Sequence, residues 1–198
     1  MTTTLDPIRM QRLAVVLPTL YAIRSAATLV WIAALLVARP PATTTTPTLW
    51  LQLLVAAYPA IDIAACCVDL RIDTSTPSRS AHWAEITAGV ATTVWLLTTG
   101  HTWHSLVAAV GSWAVATGAI QLGVALRRSR QVRGQWFMVV SGVGSVAAGA
   151  TFIGWDGGGR AFTGLITQYA AGGILWYLVA TTWATLLRPS RLKGVAQL

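Results

Sequence analysis

WAEITAGVATTVWLLTTGHTWHSLVAAVGSWAVATGAIQLGVAL, residues Trp83–Leu126, is two long apolar runs divided by Gly100–Thr102. Neither run alternates in polarity as a barrel strand does. Both read as helices, whose backbone polar groups are satisfied internally even in lipid. A helix needs roughly 20 residues to cross hydrocarbon. Trp103–Leu126 meets that length and Trp83–Thr99 is the shorter of the two. The turn between them is so brief that the helices must form an antiparallel hairpin.

Working outward, four further apolar stretches appear: Leu13–Ala38, Thr48–Leu70, Gln135–Trp155 and Ala161–Leu187. Of the 198 residues, 55% are hydrophobic and 10% charged. Soluble domains carry about 25% charged residues, so this chain lacks the polar surface that water requires. The expected fold is all-α: one integral membrane domain over residues 1–198, with six transmembrane helices. The connections fit this reading. Arg39–Pro47 is rich in proline and threonine, and Asp156–Arg160 carries three glycines; both are breaker patterns.

The net charge is +8, and its placement sets an orientation. With the N-terminus inside, the cytoplasmic segments hold Arg9, Arg12, Arg71, Arg79, Arg127, Arg128, Arg130, Arg133, Arg188, Arg191 and Lys193. The opposite side holds Arg39 and Arg160. This bias predicts both termini in the cytoplasm and a multi-pass protein of the cell (inner, cytoplasmic) membrane. The basic loops then face anionic lipid headgroups. They are short and lie beside spans, so they argue for lipid and against nucleic acid as partner. No cleavable signal is expected, because Arg24 interrupts the first apolar stretch. Cys66 and Cys67 are adjacent within a span and read as buried thiols, not a disulfide or metal site. Arginine outnumbers lysine thirteen to one, a composition that points to a bacterium.

The hairpin recurs. Trp83 precedes Gly89 by six residues, and Trp136 precedes Gly142 by six. Gly118 and Gly173 hold corresponding places in the even helices. Residues 13–70 read as a diverged third copy, with Ser25 before Trp31 and with Tyr58 and Asp62 roughly matching Trp113 and Gly118. Three hairpins, about 13–70, 83–126 and 135–187, then share one orientation. Inverted-repeat transporters are built differently.

These spacings, with Gly111-Ser112-Trp113 followed by Gly118-Ala119-Ile120, and Gln168-Tyr169 followed by Gly172-Gly173-Ile174, resemble the HdeD family of acid-resistance membrane proteins. The resemblance covers Trp83–Leu187 well and Leu13–Leu70 weakly. It implies a six-span inner-membrane protein linked to acid or envelope stress. It supplies no catalytic residues.

The residues themselves offer several candidate sites. Gly89, Gly118, Gly142, Gly149 and Gly173 are expected to let helices approach closely, as small residues do in lipid. Arg24 and Asp62 sit at similar depths, roughly 16 and 12 Å from the cytoplasmic ends of their helices at 1.5 Å per residue. They are expected to face each other and to form an intramembrane ion pair. With Asp69 and Glu85 they could instead form a proton relay; the plainer reading solvates Asp69 and Glu85, or pairs them with Arg71 or Arg79. His101 and His104 flank Trp103 at the outer turn. The pair is a candidate outer pH sensor, because histidine is the side chain suited to a physiological-pH switch, while two ligands alone make a weak metal site. Trp50, Trp83, Trp103, Trp136, Trp155 and Trp183 near span ends fit an aromatic belt.

No nucleophile sits in a catalytic motif, and Gly157–Gly159 lacks the context of a phosphate loop. The expectation is a non-enzyme with no cofactor or metal, acting in acid or envelope stress tolerance, with the bilayer, a homo-oligomer or other membrane proteins as partners. The alternative is a small transporter or channel for protons or a small solute, using Arg24 and Asp62.

Overall fold

The computed structural model describes residues 7–41, 43–72, 76–129, 136–155 and 158–186. These form six α-helices: α1 Pro7–Val37, α2 Leu49–Ile72, α3 Thr76–Thr99, α4 Trp103–Ser129, α5 Trp136–Ile153 and α6 Gly159–Leu186. There is no strand among the described residues. Arg130, Arg133, Arg188, Arg191 and Lys193, which carry part of the orientation argument, lie outside them.

Local chemistry explains the helix ends. Arg39-Pro40-Pro41 follows α1, and proline cannot extend a helix. The Thr48 hydroxyl accepts from the Leu51 amide at 3.2 Å, and the Thr102 hydroxyl accepts from the Ser105 amide at 3.1 Å. Each satisfies an amide that the first turn leaves free. Within the helices, the hydroxyls of Thr87, Thr93, Thr117, Thr163 and Thr181 donate to the carbonyl four residues earlier. That bond lets a polar residue sit in an apolar helix without an external partner.

Each helix packs on its sequence neighbours, and α6 closes the ring against α1. The most intimate contacts lie between successive hairpins, α4 on α5 and then α2 on α3, more than within them. The α4–α5 seam is built from glycines. A Cβ on Gly149 would fall 2.5 Å from the Gly111 carbonyl oxygen, and one on Gly118 would fall 2.8 Å from that of Gly142. The same test sets Gly89 against Ile63 and the Pro59 carbonyl, as Gly142 sits against Leu122 and the Gly118 carbonyl. By packing, therefore, Pro59 holds the place of Gly118. The repeat spacing had put Asp62 there, nearly one turn away. Gly173 has no close helix beside it; its nearest neighbour is the Tyr58 hydroxyl, at 3.6 Å from an added Cβ.

The main core gathers at the end of the bundle that carries the Gly100 turn. Trp31, Leu35, Leu51, Val55, Leu96, Leu106, Val107, Phe162 and Ile166 are buried together there. A smaller cluster of Cys66, Leu70 and Ile86 lies at the opposite end, near Arg71.

Two helical stretches, Leu49–Arg71 and Trp103–Leu126, are long and apolar enough to cross a membrane. Ala22–Val37 and Met138–Ile153 are apolar but shorter. The six expected spans thus appear as six helices, of which two carry the full signal. The α1 stretch Ala22–Val37 includes Arg24, and α3 opens on the polar segment Thr76–Glu85.

Candidate functional site

Antiparallel packing brings α1 and α2 together midway along their lengths. There the Arg24 guanidinium donates to the Asp62 carboxylate in an ion pair. A second carboxylate oxygen, on Asp69, lies 3.8 Å from the other guanidinium nitrogen. Asp62 and Asp69 are seven residues apart, two helical turns, so both reach one side of α2. The Tyr177 ring arrives from α6, with its centroid 4.8 Å from the guanidinium carbon. That is within cation–π range. Side-chain exposure is 15% for Arg24, 19% for Asp62 and 16% for Asp69. One cation between two carboxylates and an aromatic face is a compensated buried group, as low-dielectric surroundings require.

An aromatic wall stands above this pair. Trp31 and Tyr58 stack with centroids 4.5 Å apart, and Tyr58 meets Trp113 edge-on at 5.2 Å. Tyr169 contacts Tyr58, Trp113 and Phe152. The Trp31 indole donates to the Leu54 carbonyl at 2.6 Å, which locks α1 to α2 one stage beyond the ion pair.

Glu85 belongs to a different group. Its Oε2 accepts from the Cys66 thiol at 3.1 Å and lies 3.5 Å from Nδ1 of His82. Arg79, one of the two arginines offered as an alternative partner for Glu85, donates its guanidinium to the Leu70 carbonyl at 3.4 Å. Cys66 is buried, and Cys67, its neighbour, is exposed.

His101 and His104 are both exposed at the α3–α4 turn. His104 Nδ1 lies 3.4 Å from the Trp155 carbonyl oxygen. Among the described residues, no third metal-ligating side chain completes a group with them. Trp103 departs from the belt assignment. It is 7% exposed, lies flat against Gly159, and donates to the Thr44 carbonyl at 3.3 Å. Trp50 and Trp136 are exposed at the starts of α2 and α5, whereas Trp83 is exposed about two turns into α3; the Trp183 side chain lies outside the described residues.

The residues that sequence reasoning passed over are Tyr177, His82 and the aromatic wall. His82-x-x-Glu85 was a visible signal, since residues three apart share a helix face. That Cys66 faces it depends on the α2–α3 register, which no local pattern states.

Comparison with known protein families, curated proteins and solved structures finds no match to this chain.

Proposed function

We propose that this chain is a non-enzymatic multi-pass protein of the bacterial inner membrane. Six helices cross the bilayer with both termini in the cytoplasm, and the protein acts in acid or envelope stress tolerance. The observation that carries the membrane reading is an inverted surface. Val30 is 72% and Val37 89% exposed, and Ile23, Leu29, Leu49, Trp50, Val143 and Leu178 also face outward. Meanwhile Arg24, Asp62 and Asp69 turn inward and meet one another. A water-soluble protein would bury the first set and solvate the second. In lipid the arrangement is the favourable one, because intramembrane charges face the bundle interior and pair. The stress role rests on the HdeD resemblance across Trp83–Leu187.

Two measurements test this. Single cysteines, in a chain lacking Cys66 and Cys67, should react with an impermeant reagent from outside at Thr102. They should react only from inside at Arg130. The reverse pattern would overturn the orientation. A deletion strain should lose acid survival and regain it with the wild-type chain; unchanged survival would remove the stress role.

A second reading has one observation in its favour. Arg24, Asp62, Asp69 and the Glu85 group run from mid-bundle toward the Arg71 end, as a proton path would. The apolar core at the Gly100 end closes the other half. Proton flux in proteoliposomes that Asp62→Asn abolishes would establish conduction; an intact protein without flux would support the accessory role.

A further inference from the structure

We propose that Cys66, His82 and Glu85 form a binding site for one Zn²⁺ ion, set between α2 and α3 near the Arg71 end of the bundle. One ligand atom from each residue, the thiol sulfur, a ring nitrogen and a carboxylate oxygen, all lie within 4.8 Å of one another. Sγ and Oε2 are 3.1 Å apart, and Nδ1 and Oε2 are 3.5 Å apart. Around a tetrahedral zinc with bonds of about 2.3 Å to sulfur and about 2.0–2.1 Å to nitrogen and oxygen, adjacent donors are separated by roughly 3.3–3.6 Å. The donors are therefore near the required spacing already, and small side-chain rotations complete it.

The donor set selects the ion. Thiolate and imidazole favour zinc over magnesium or calcium, which take oxygen ligands. Charge also balances: a thiolate, a carboxylate and a neutral imidazole sum to minus two, which the ion cancels. The zinc–sulfur bond forms as the thiol loses its proton to water. A neutral site suits the low-dielectric interior of a bundle, where an unpaired charge is costly. Access is through His82 and Glu85, whose side chains are 22% and 23% exposed, while Cys66 lies behind them. Three protein ligands leave one coordination position open, so the ion can be exchanged or take an exogenous ligand. This inference does not rest on the stress role, because binding is read on the purified chain.

Cobalt replaces zinc as a visible probe. The full-length protein in detergent micelles should develop thiolate-to-cobalt charge-transfer absorption that saturates at one ion per chain and is displaced by zinc. Cys66→Ser should abolish the band, and Cys67→Ser should leave it unchanged. His82→Ala and Glu85→Gln should weaken binding by about tenfold or more, since even outer-shell losses cost that much. Absence of the band in the wild type, or its persistence in Cys66→Ser, overturns the site. A second readout needs no ligand variant. In the Cys67→Ser protein, zinc should slow alkylation of Cys66 by a small maleimide by about tenfold or more, and magnesium should not. Equal rates with and without zinc also overturn it.

Discussion

The α4–α5 seam and the α1–α2 junction solve one problem in opposite ways. At the seam, Gly111, Gly118, Gly142 and Gly149 bring two backbones together by having no side chain to hold them apart. At the junction, Arg24 and Asp62 span the gap with long charged side chains, and Tyr177 from α6 covers the cation. In the bilayer proposed for this chain, lipid would supply no hydrophobic drive between helices, so association would depend on close contact or on polar bonds. The seam uses the first and the junction the second. A seam of glycines has no freedom to accept an added atom. A charged junction has no freedom to lose one.

The largest expected effect is therefore a deletion at the junction. Arg24→Ala removes the guanidinium that both Asp62 and Asp69 approach, and should destabilise by about 3–5 kcal/mol, the range for breaking a buried pair. Asp62→Ala should cost less, because Asp69 still lies beside Arg24 at 3.8 Å. The double variant should lose less than the sum of the single ones, by about 1 kcal/mol or more. Unfolding of the purified chain in mixed micelles measures all three. Strictly additive losses would show that the two side chains do not act as a pair.

Next comes an insertion at the seam. Gly149→Ala puts a methyl group 2.5 Å from the Gly111 carbonyl oxygen and 2.8 Å from Val115. Its neighbours include backbone, so α4 and α5 must separate. A loss of about 1–3 kcal/mol is expected, as for overpacked cores. The same unfolding experiment reads it. A neutral result would mean that the seam yields, and would remove the contrast with the junction.

How far these regions were legible in the sequence follows from the kind of information each needs. Six apolar runs separated by proline, glycine and basic segments announce six helices, because each run is long enough to be read alone. Facing of Arg24 and Asp62 followed from counting residues in two antiparallel helices joined by a short loop. Gly118, Gly142 and Gly149 were legible as close-approach positions because small residues serve that role between helices in lipid. What failed to show needed contacts between distant elements. Tyr177 reaches Arg24 only because α6 closes on α1, and nothing near residue 177 states that closure. Cys66 meets Glu85 and His82 through the α2–α3 register, which Gly89 sets against Pro59 and Ile63. Trp103 near a helix end looked like an interfacial anchor, yet its indole N–H donates to the Thr44 carbonyl. Its burial was a tertiary fact that a position near a helix end could not carry.

The smallest effect sharpens the comparison most. Gly144 lies on α5, five residues before Gly149, and an added Cβ there meets nothing within 4 Å. Alanine is a better helix former than glycine by up to about 1 kcal/mol. Gly144→Ala should therefore leave stability unchanged or raise it slightly, within about 1 kcal/mol, when measured beside Gly149→Ala. The two variants carry the same methyl group on the same helix, so helix propensity cancels between them and only the neighbouring surface differs. A loss at Gly144 as large as that at Gly149 would require something packed against the open face of α5. Because no described residue of this chain comes within 4 Å there, a second copy or another protein is the expected source. Repeating the pair of measurements across a range of protein-to-detergent ratios separates these cases: a cost that fades on dilution belongs to an oligomer, and a constant one to the bundle itself.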